Sequence, residues 1–160
     1  MGFYDKCAGE VIESYKMLND AERIVKVAMP VAKDAKLIAR ALEKVHKSLF
    51  LLISLILKYE HMRKRIRLYK NKDKNVGVFY DKCALRYGMD IEDRKMLKEI
   101  MFLSLKHKES GFEFSKDNRV VIFDDNYKIH VISEKGIMGF IGVVRRLNLN
   151  VKNGVLRAKN

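Results

Sequence analysis

The sequence contains only two cysteines and one proline, and it has no tryptophan. Cys7 and Cys83 are far apart, and neither belongs to a CxxC pair or has a histidine at metal-ligand spacing. This pattern predicts no metal site, no cofactor and no disulfide framework, and it favours a reducing cytoplasm. The single proline, Pro30, disfavours helical geometry at Met29 and so predicts a break between two helices.

Long apolar runs and enzyme motifs are also missing. The most apolar stretch, residues 49–57, is nine residues long, whereas a membrane-spanning helix needs about 20. The N-terminal residues lack the apolar core of a secretory signal. No P-loop, dinucleotide fingerprint or pair of catalytic carboxylates is present. We therefore expect no membrane span and no export, and no motif indicates a reaction.

Acidic residues are scarce relative to basic ones. The chain has 33 Lys and Arg against 20 Asp and Glu, which gives a net charge of +13. Two regions hold nearly all of the excess, because residues 58–88 carry +7 and residues 119–160 carry +5. A basic balance of this size favours partners that are rich in phosphate.

The apolar periodicity predicts a mainly α fold, a bundle of about five helices around a long central helix with a small β-hairpin near residues 119–132. Residues 1–147 are expected to form a single helical domain, and residues 148–160 a basic and partly ordered C-terminal tail. The central helix carries an apolar seam, which is typical of a helix packed between others. The members of the seam are Ile38, Leu42, Val45, Leu49, Leu52, Ile56 and Tyr59.

Capping residues predict several helix ends. Asn75 is expected to cap the third helix, and Asp90 and Ser133 are expected to cap the two helices that follow. Gly88 is expected to end the third helix in a left-handed conformation. The central helix itself is expected to continue past its seam as far as Lys74.

Eight cations crowd into residues 58–74, where only Glu60 and Asp73 oppose them. On a continuous helix they would form a basic ridge, and each cation placed on a phosphate releases about one condensed counterion. This pattern predicts non-enzymatic binding of nucleic acid, RNA more than DNA, with a solvated helix end as the alternative. Four tyrosines, Tyr59, Tyr69, Tyr80 and Tyr87, can offer stacking faces for unpaired bases, although the helical spacing of Tyr59 and Tyr69 is more typical of core residues with solvated hydroxyl groups. The predicted contacts are Lys58, Arg63, Lys64, Arg65, Arg67, Lys70, Lys72 and Lys74, with Arg145 and Arg146 from the second basic region.

Two other interpretations stay open from the sequence. Arg40 and His46 resemble the loose Arg-x4-6-His signature of HEPN-type helical ribonucleases, and that resemblance implies a metal-independent ribonuclease that uses this pair. Alternatively, the seam of the central helix could pair with a partner protein or with another copy of the chain, which would make the protein an interaction module or a homodimer.

Five short stretches resemble a family of short, uncharacterised archaeal helical proteins. They are KDAKL at 33–37, YE at 59–60, KRI at 64–66, HKESGFEFS at 107–115 and VIFDDNY at 121–127. The resemblance implies an archaeal cytoplasmic setting, and it carries over no activity and no site residues. A separate repetition, FYDKCA at 3–8 and again at 79–84, lacks matching flanks and is interpreted as coincidence.

Overall fold

The chain folds as a helical bundle with a small antiparallel sheet, which confirms the predicted mainly α class. The computed structural model describes residues 2–157. π-Helical turns follow the first, fourth and last helices, at Ile24–Ala28, Phe79–Cys83 and Lys152–Leu156. In chain order the other elements are α1 (Phe3–Arg23), α2 (Met29–Ala32), α3 (Leu37–Met62), α4 (Lys72–Val78), α5 (Ile91–Glu109), β1 (Phe112–Lys116), β2 (Arg119–Phe123), β3 (Ile129–Ser133) and α6 (Glu134–Val151).

The predicted seam places α3 at the centre of the bundle. Every residue of the seam is buried, from Ile38 at 0% exposure to Tyr59 at 4%. Helices α1, α5 and α6 all pack against α3 and cover it from different sides. Phe50 is 44% exposed, so α3 is not covered by other elements on every side. The burial of the apolar side chains of the seam stabilises the bundle.

Three predicted helix ends are confirmed. Gly88 adopts a left-handed conformation with a φ of 78°, which glycine tolerates without strain. The Asp90 carboxylate accepts a hydrogen bond from the backbone N–H of Asp93 at the start of α5. The Ser133 hydroxyl oxygen accepts one from the backbone N–H of Gly136 at the start of α6.

The predicted basic helical ridge is wrong in its geometry, because α3 ends at Met62. Lys64 takes a left-handed conformation, with a φ of 60°, directly after the last turn. Its N–H donates to the carbonyl of His61 at 2.9 Å, and the N–H of Arg65 donates to the carbonyl of Glu60 at 2.9 Å. This pair of bonds is a Schellman motif, which ends a helix at a position where glycine is the usual residue. The eight cations therefore do not share one helix.

Two asparagines order the connection between α3 and α4. Asn71 caps α4, since its side-chain oxygen accepts hydrogen bonds from the N–H groups of Asp73 and Lys74. Asn75, the expected cap, lies inside α4 and instead bonds both backbone groups of Tyr69, at 2.7 and 2.8 Å. The connection therefore has a defined backbone conformation without being helical.

Pro30 does not break the first helical segment at Met29. The π-helical turn before it bonds the N–H of Met29 to the carbonyl of Ile24, and helical geometry continues to Ala32. The proline thus lies in the first turn of α2, where its missing N–H is tolerated. The break comes at Lys33, which has a φ of 51°.

The C-terminal residues belong to the bundle. Residues 148–151 complete α6, and the π-helical turn after it reaches Leu156. Val151 and Val155 are fully buried, so apolar packing holds this stretch in place. The predicted start of a partly ordered tail at residue 148 is therefore wrong, and the last residues of that tail, 158–160, lie outside the described part of the chain.

The predicted hairpin is present and gains a third strand, so the sheet has the antiparallel order β1-β2-β3. Ile122 and Ile132 on its inner face are buried in the core. His107 at the end of α5 bridges Glu113 of β1 at 2.7 Å and Glu43 of α3 at 3.3 Å. These contacts attach the edge strand to the part of the bundle where α3 begins.

A polar cluster crosses the centre of the bundle. The hydroxyl oxygens of Ser14 in α1 and Ser48 in α3 are 2.7 Å apart, and the Ser48 hydroxyl donates to the carbonyl of Ser14 at 3.0 Å. Asn148 of α6 donates to the carbonyl of Val11 at 3.0 Å and to the Ser14 hydroxyl at 3.2 Å. Because buried polar groups must be bonded, this cluster fixes the register of the three helices.

We expect Asn148→Ala to lower the free energy of unfolding by about 2 kcal/mol, because it removes two buried hydrogen bonds. Urea unfolding followed by circular dichroism measures the change. Asn126→Ala, in an exposed turn, is the matched control and should change the same quantity by less than about 0.5 kcal/mol. Equal losses in the two variants would contradict a structural role for the cluster.

Candidate functional site

All eight cations of residues 58–74 are exposed, and we refer to this stretch as the basic segment. They lie on the end of α3, on the connection and on the first turn of α4. Within residues 2–157, only Arg65 among the eight forms a salt bridge, to Glu60. The other seven have no carboxylate partner there and point their charges to solvent; they are Lys58, Arg63, Lys64, Arg67, Lys70, Lys72 and Lys74.

Tyr69 lies in the middle of the basic segment and is 46% exposed, so it is not a core residue. The Arg67 guanidinium and the Lys74 ammonium lie 5.9 and 5.7 Å from the centre of its ring. Both distances fall within the range of a cation–π interaction. Asn75 holds the Tyr69 backbone through two hydrogen bonds. An exposed ring with two cations close to it has the composition that binds an unpaired base together with its phosphates.

The two arginines of the second basic region are engaged between helices. Arg145 donates to the Glu22 carboxylate at 2.6 Å and to the Asn19 side chain at 2.9 Å, which connects α6 to α1. Arg146 donates to both carboxylate oxygens of Asp93 in α5. Hydrogen bonding, chiefly from Arg145, lowers the pKa of Glu22 to about 2. Both arginines thus differ from the seven unpaired cations, because their charges are matched within the bundle.

Arg40 and His46 lie six positions apart on the same helix, α3. Six residues on an α-helix correspond to about 120° around the axis and about 9 Å along it. Arg40 is exposed, whereas His46 lines a groove of about 450 Å³ with Phe50 and Lys108. Burial, with a smaller effect from the charge of Lys108, lowers the pKa of His46. The ribonuclease activity that the resemblance implies therefore stays a prediction.

The thiols of Cys7 and Cys83 are free and buried. Burial raises the pKa of Cys83 to about 11, and the charge of Glu60 adds to this shift. Burial also raises the pKa of Cys7. Both thiols are therefore protonated near neutral pH, which makes them poor nucleophiles.

The seam of α3 is covered by the chain's own helices, so the predicted pairing of this seam with another molecule is wrong. An exposed apolar surface is present instead on the outer face of the sheet. Phe112 and Phe123 of neighbouring strands have ring centres 5.4 Å apart, and Phe114 lies 5.9 Å from Phe123. The outward-facing residues are Phe112, Phe114, Val121, Phe123, Ile129 and Val131.

A further cluster lies where α3 meets the basic segment. The side chain of Glu60 is completely buried and accepts hydrogen bonds from Arg86 at 2.6 Å and from the Tyr87 hydroxyl at 2.9 Å. One nitrogen of Arg65 lies 3.4 and 3.3 Å from its two carboxylate oxygens. Burial, with the negative charge of Glu60, raises the pKa of Tyr87, so its hydroxyl remains a donor. The buried carboxylate is thereby matched by three donor side chains.

Comparisons with protein-family models, curated proteins and solved structures give no significant match to the chain. The resemblance to short archaeal helical proteins therefore stays a prediction. Among residues 2–157, no helix combines the length and the apolar character that crossing a membrane requires. In the same part of the chain, no three His, Cys, Asp or Glu side chains come together as a group that could hold a metal ion.

The sequence holds only part of the signal for the Glu60 cluster. A Schellman motif brings the residue after its left-handed position close to the last turn of the helix, which explains the contact between Arg65 and Glu60. However, this motif could not be recognised in the sequence, because Lys64 occupies the left-handed position where glycine is usual. The partners Arg86 and Tyr87 are distant in sequence and meet Glu60 only in the folded chain.

Proposed function

We propose that the basic segment binds nucleic acid, RNA in preference to DNA, through phosphate contacts and without catalysing a reaction. The proposal depends on the seven exposed cations that have no carboxylate partner within residues 2–157. Asp73 contributes the one exposed negative charge of the segment, because Glu60 is buried. A solvated surface usually mixes the two signs of charge, and this one does so very little.

The exposed ring of Tyr69 supports a single-stranded nucleic acid as the ligand. The ring lies beside Arg67 and Lys74, so a base stacked on it would have its phosphates near both cations. Proteins recognise RNA chiefly through single-stranded bases, which can stack on aromatic side chains. This is the feature that favours single-stranded RNA over duplex DNA.

Phosphate contacts make binding depend steeply on salt. For a single strand, the logarithm of the binding constant falls by about 0.7 per contact for each tenfold rise in salt, so five contacts weaken binding about 100-fold between roughly 50 and 200 mM salt. Such contacts position the strand without reading its sequence. We therefore expect the protein to bind RNA strands of different sequence with similar affinities.

The free thiols of Cys7 and Cys83 support a cytoplasmic setting. Unpaired cysteines persist where glutathione and thioredoxin keep thiols reduced. We place the protein in such a compartment.

Reversing three of the unpaired cations should remove most of the binding. We expect the variant with Arg63→Glu, Arg67→Glu and Lys70→Glu to bind a mixed-sequence single-stranded RNA at least about 100-fold more weakly than the wild type at low salt. The slope of the salt dependence should also become shallower by about 2, because three contacts are lost. Fluorescence anisotropy at several salt concentrations measures both quantities.

The matched control reverses Lys16, Lys36 and Lys135, three exposed lysines outside the basic segment. This variant has the same net charge as the segment variant and should bind within about fivefold of the wild type, because distant charges are screened by salt. Equal losses in the two variants would show that net charge alone attracts the RNA, and this would contradict the proposal.

Self-association through the sheet is a second candidate function. Strand β1 is an edge strand with all five residues exposed, so its free edge can pair with that of a second copy. Antiparallel pairing centred on Phe114 would set Phe114 against its counterpart and Phe112 against Lys116. Because each copy is strongly basic, added salt should strengthen this contact, whereas salt weakens nucleic-acid binding.

For this second candidate, sedimentation velocity should give a mass that rises with protein concentration and with salt. Phe114→Glu should keep the protein monomeric, since it places like charges opposite each other in the paired strands. Ile12→Glu, at an exposed position of α1, should associate as the wild type does. A wild type that remains monomeric at about 100 μM would rule out this candidate.

A further inference from the structure

A cavity of about 290 Å³ opens beside Glu60, between the end of α3 and the π-helical turn that follows α6. Arg65, Arg86 and Asn153 are among the residues that line it. The Glu60 side chain itself has no exposed surface, and both of its oxygens accept hydrogen bonds. Glu60 is also among the lining residues, but because its oxygens are already hydrogen-bonded, the groups left to bind a molecule in the cavity are donors.

Close packing gives this cavity fixed walls. A Cβ atom on Gly88 would lie 2.7 Å from the side-chain nitrogen of Asn150, and one on Gly154 would lie 3.4 Å from the ring of Tyr87. The side chain of Asn150 donates to the carbonyl of Tyr87 at 2.7 Å, which holds the end of α6 against the chain after α4. The cavity is thus formed before any ligand arrives.

The two arginines have more donors than Glu60 can use. Arg86 reaches the carboxylate with one nitrogen at 2.6 Å, and Arg65 reaches it with one nitrogen no closer than 3.3 Å. A guanidinium has five N–H groups, so most of these donors have no partner within residues 2–157. Their side chains are 40% and 50% exposed. The local charge is also unbalanced, because two cations share one carboxylate.

We propose that this cavity binds the terminal phosphate of the strand that the basic segment holds, an inference that rests on the proposed function. A phosphate monoester carries a charge of about −1.5 to −2 near neutral pH and offers three acceptor oxygens, which suits two guanidinium groups held by a buried carboxylate. Arg65 belongs both to the cavity and to the basic segment. Arg63 and Arg67 each lie two residues from it in the chain, so they are the cations of the basic segment that we expect to hold the next phosphates of the strand.

Three RNA oligomers of one sequence test this inference: one with a 5′-phosphate, one with a 3′-phosphate and one with hydroxyl groups at both ends. Each carries an internal fluorophore for anisotropy. We expect the wild type to bind one phosphorylated oligomer about tenfold more tightly than the hydroxyl form. Equal affinity for all three would overturn the inference. If the hydroxyl oligomer still binds in a way that requires Arg63, Arg67 and Lys70, the proposed function stands nevertheless.

Two variants separate the cavity from the rest of the surface. Arg86→Lys keeps a cation beside Glu60 but loses the planar fork, so it should remove the tenfold gain while the hydroxyl oligomer binds as before. Asn153→Asp adds a negative charge to the cavity wall and should have the same effect. Arg23→Lys, at an exposed position in the last turn of α1, should keep the gain. A gain that persists in both cavity variants would overturn the inference.

A phosphate monoester could come from the end of an RNA strand or from a free nucleotide. Competition with a free nucleoside monophosphate distinguishes these two ligands. The free nucleotide should displace the phosphorylated oligomer only weakly, because it makes none of the contacts along the basic segment. Displacement at concentrations as low as those of the phosphorylated RNA itself would overturn the assignment to a strand end. Failure of every oligomer to bind at low salt would instead contradict the proposed function.

Discussion

The buried carboxylate of Glu60 is the contact on which the architecture of the candidate site depends. A carboxylate that is buried away from water is stable only when hydrogen-bond donors surround it. Here the donors are Arg65 after α3, and Arg86 and Tyr87 after α4. The Schellman motif at the end of α3 places Arg65 beside that carboxylate, and the chain after α4 returns across this end with Arg86 and Tyr87. The same cluster therefore links the end of the central helix to the start of the basic segment.

Features that depend on local spacing could be predicted from the sequence. The seam of α3 follows from its apolar period, and the caps Asp90 and Ser133 act through side chains within their own turn. The end of α3 could not be predicted, because Lys64 adopts the left-handed conformation that usually indicates glycine. Strand β1 also escaped prediction. It is a short edge strand with every residue exposed, so no buried residue within it indicates a strand that packs on the core.

For the candidate site, the residue types could be predicted from the sequence, but which of the basic residues have a carboxylate partner in the fold could not. Arg145 and Arg146 are basic residues like the others, yet each has a carboxylate partner more than 50 positions away. Such pairs depend on how α6 packs against α1 and α5.

The apolar sheet and the basic segment lie at different ends of the molecule. The apolar sheet is attached at Glu43, near the start of α3, and the basic segment lies about 30 Å further along that helix. The two proposed functions would therefore use surfaces near opposite ends of α3.

The most direct test of this account is a hydrogen-exchange footprint of the protein with and without saturating single-stranded RNA at low salt. The account predicts slower exchange of the amides between residues 63 and 75, because bound phosphates and a stacked base would reduce local opening of this connection. Exchange on the outer strand β1 should not change. Protection confined to the sheet, or saturation by RNA without any protection of the basic segment, would contradict the account.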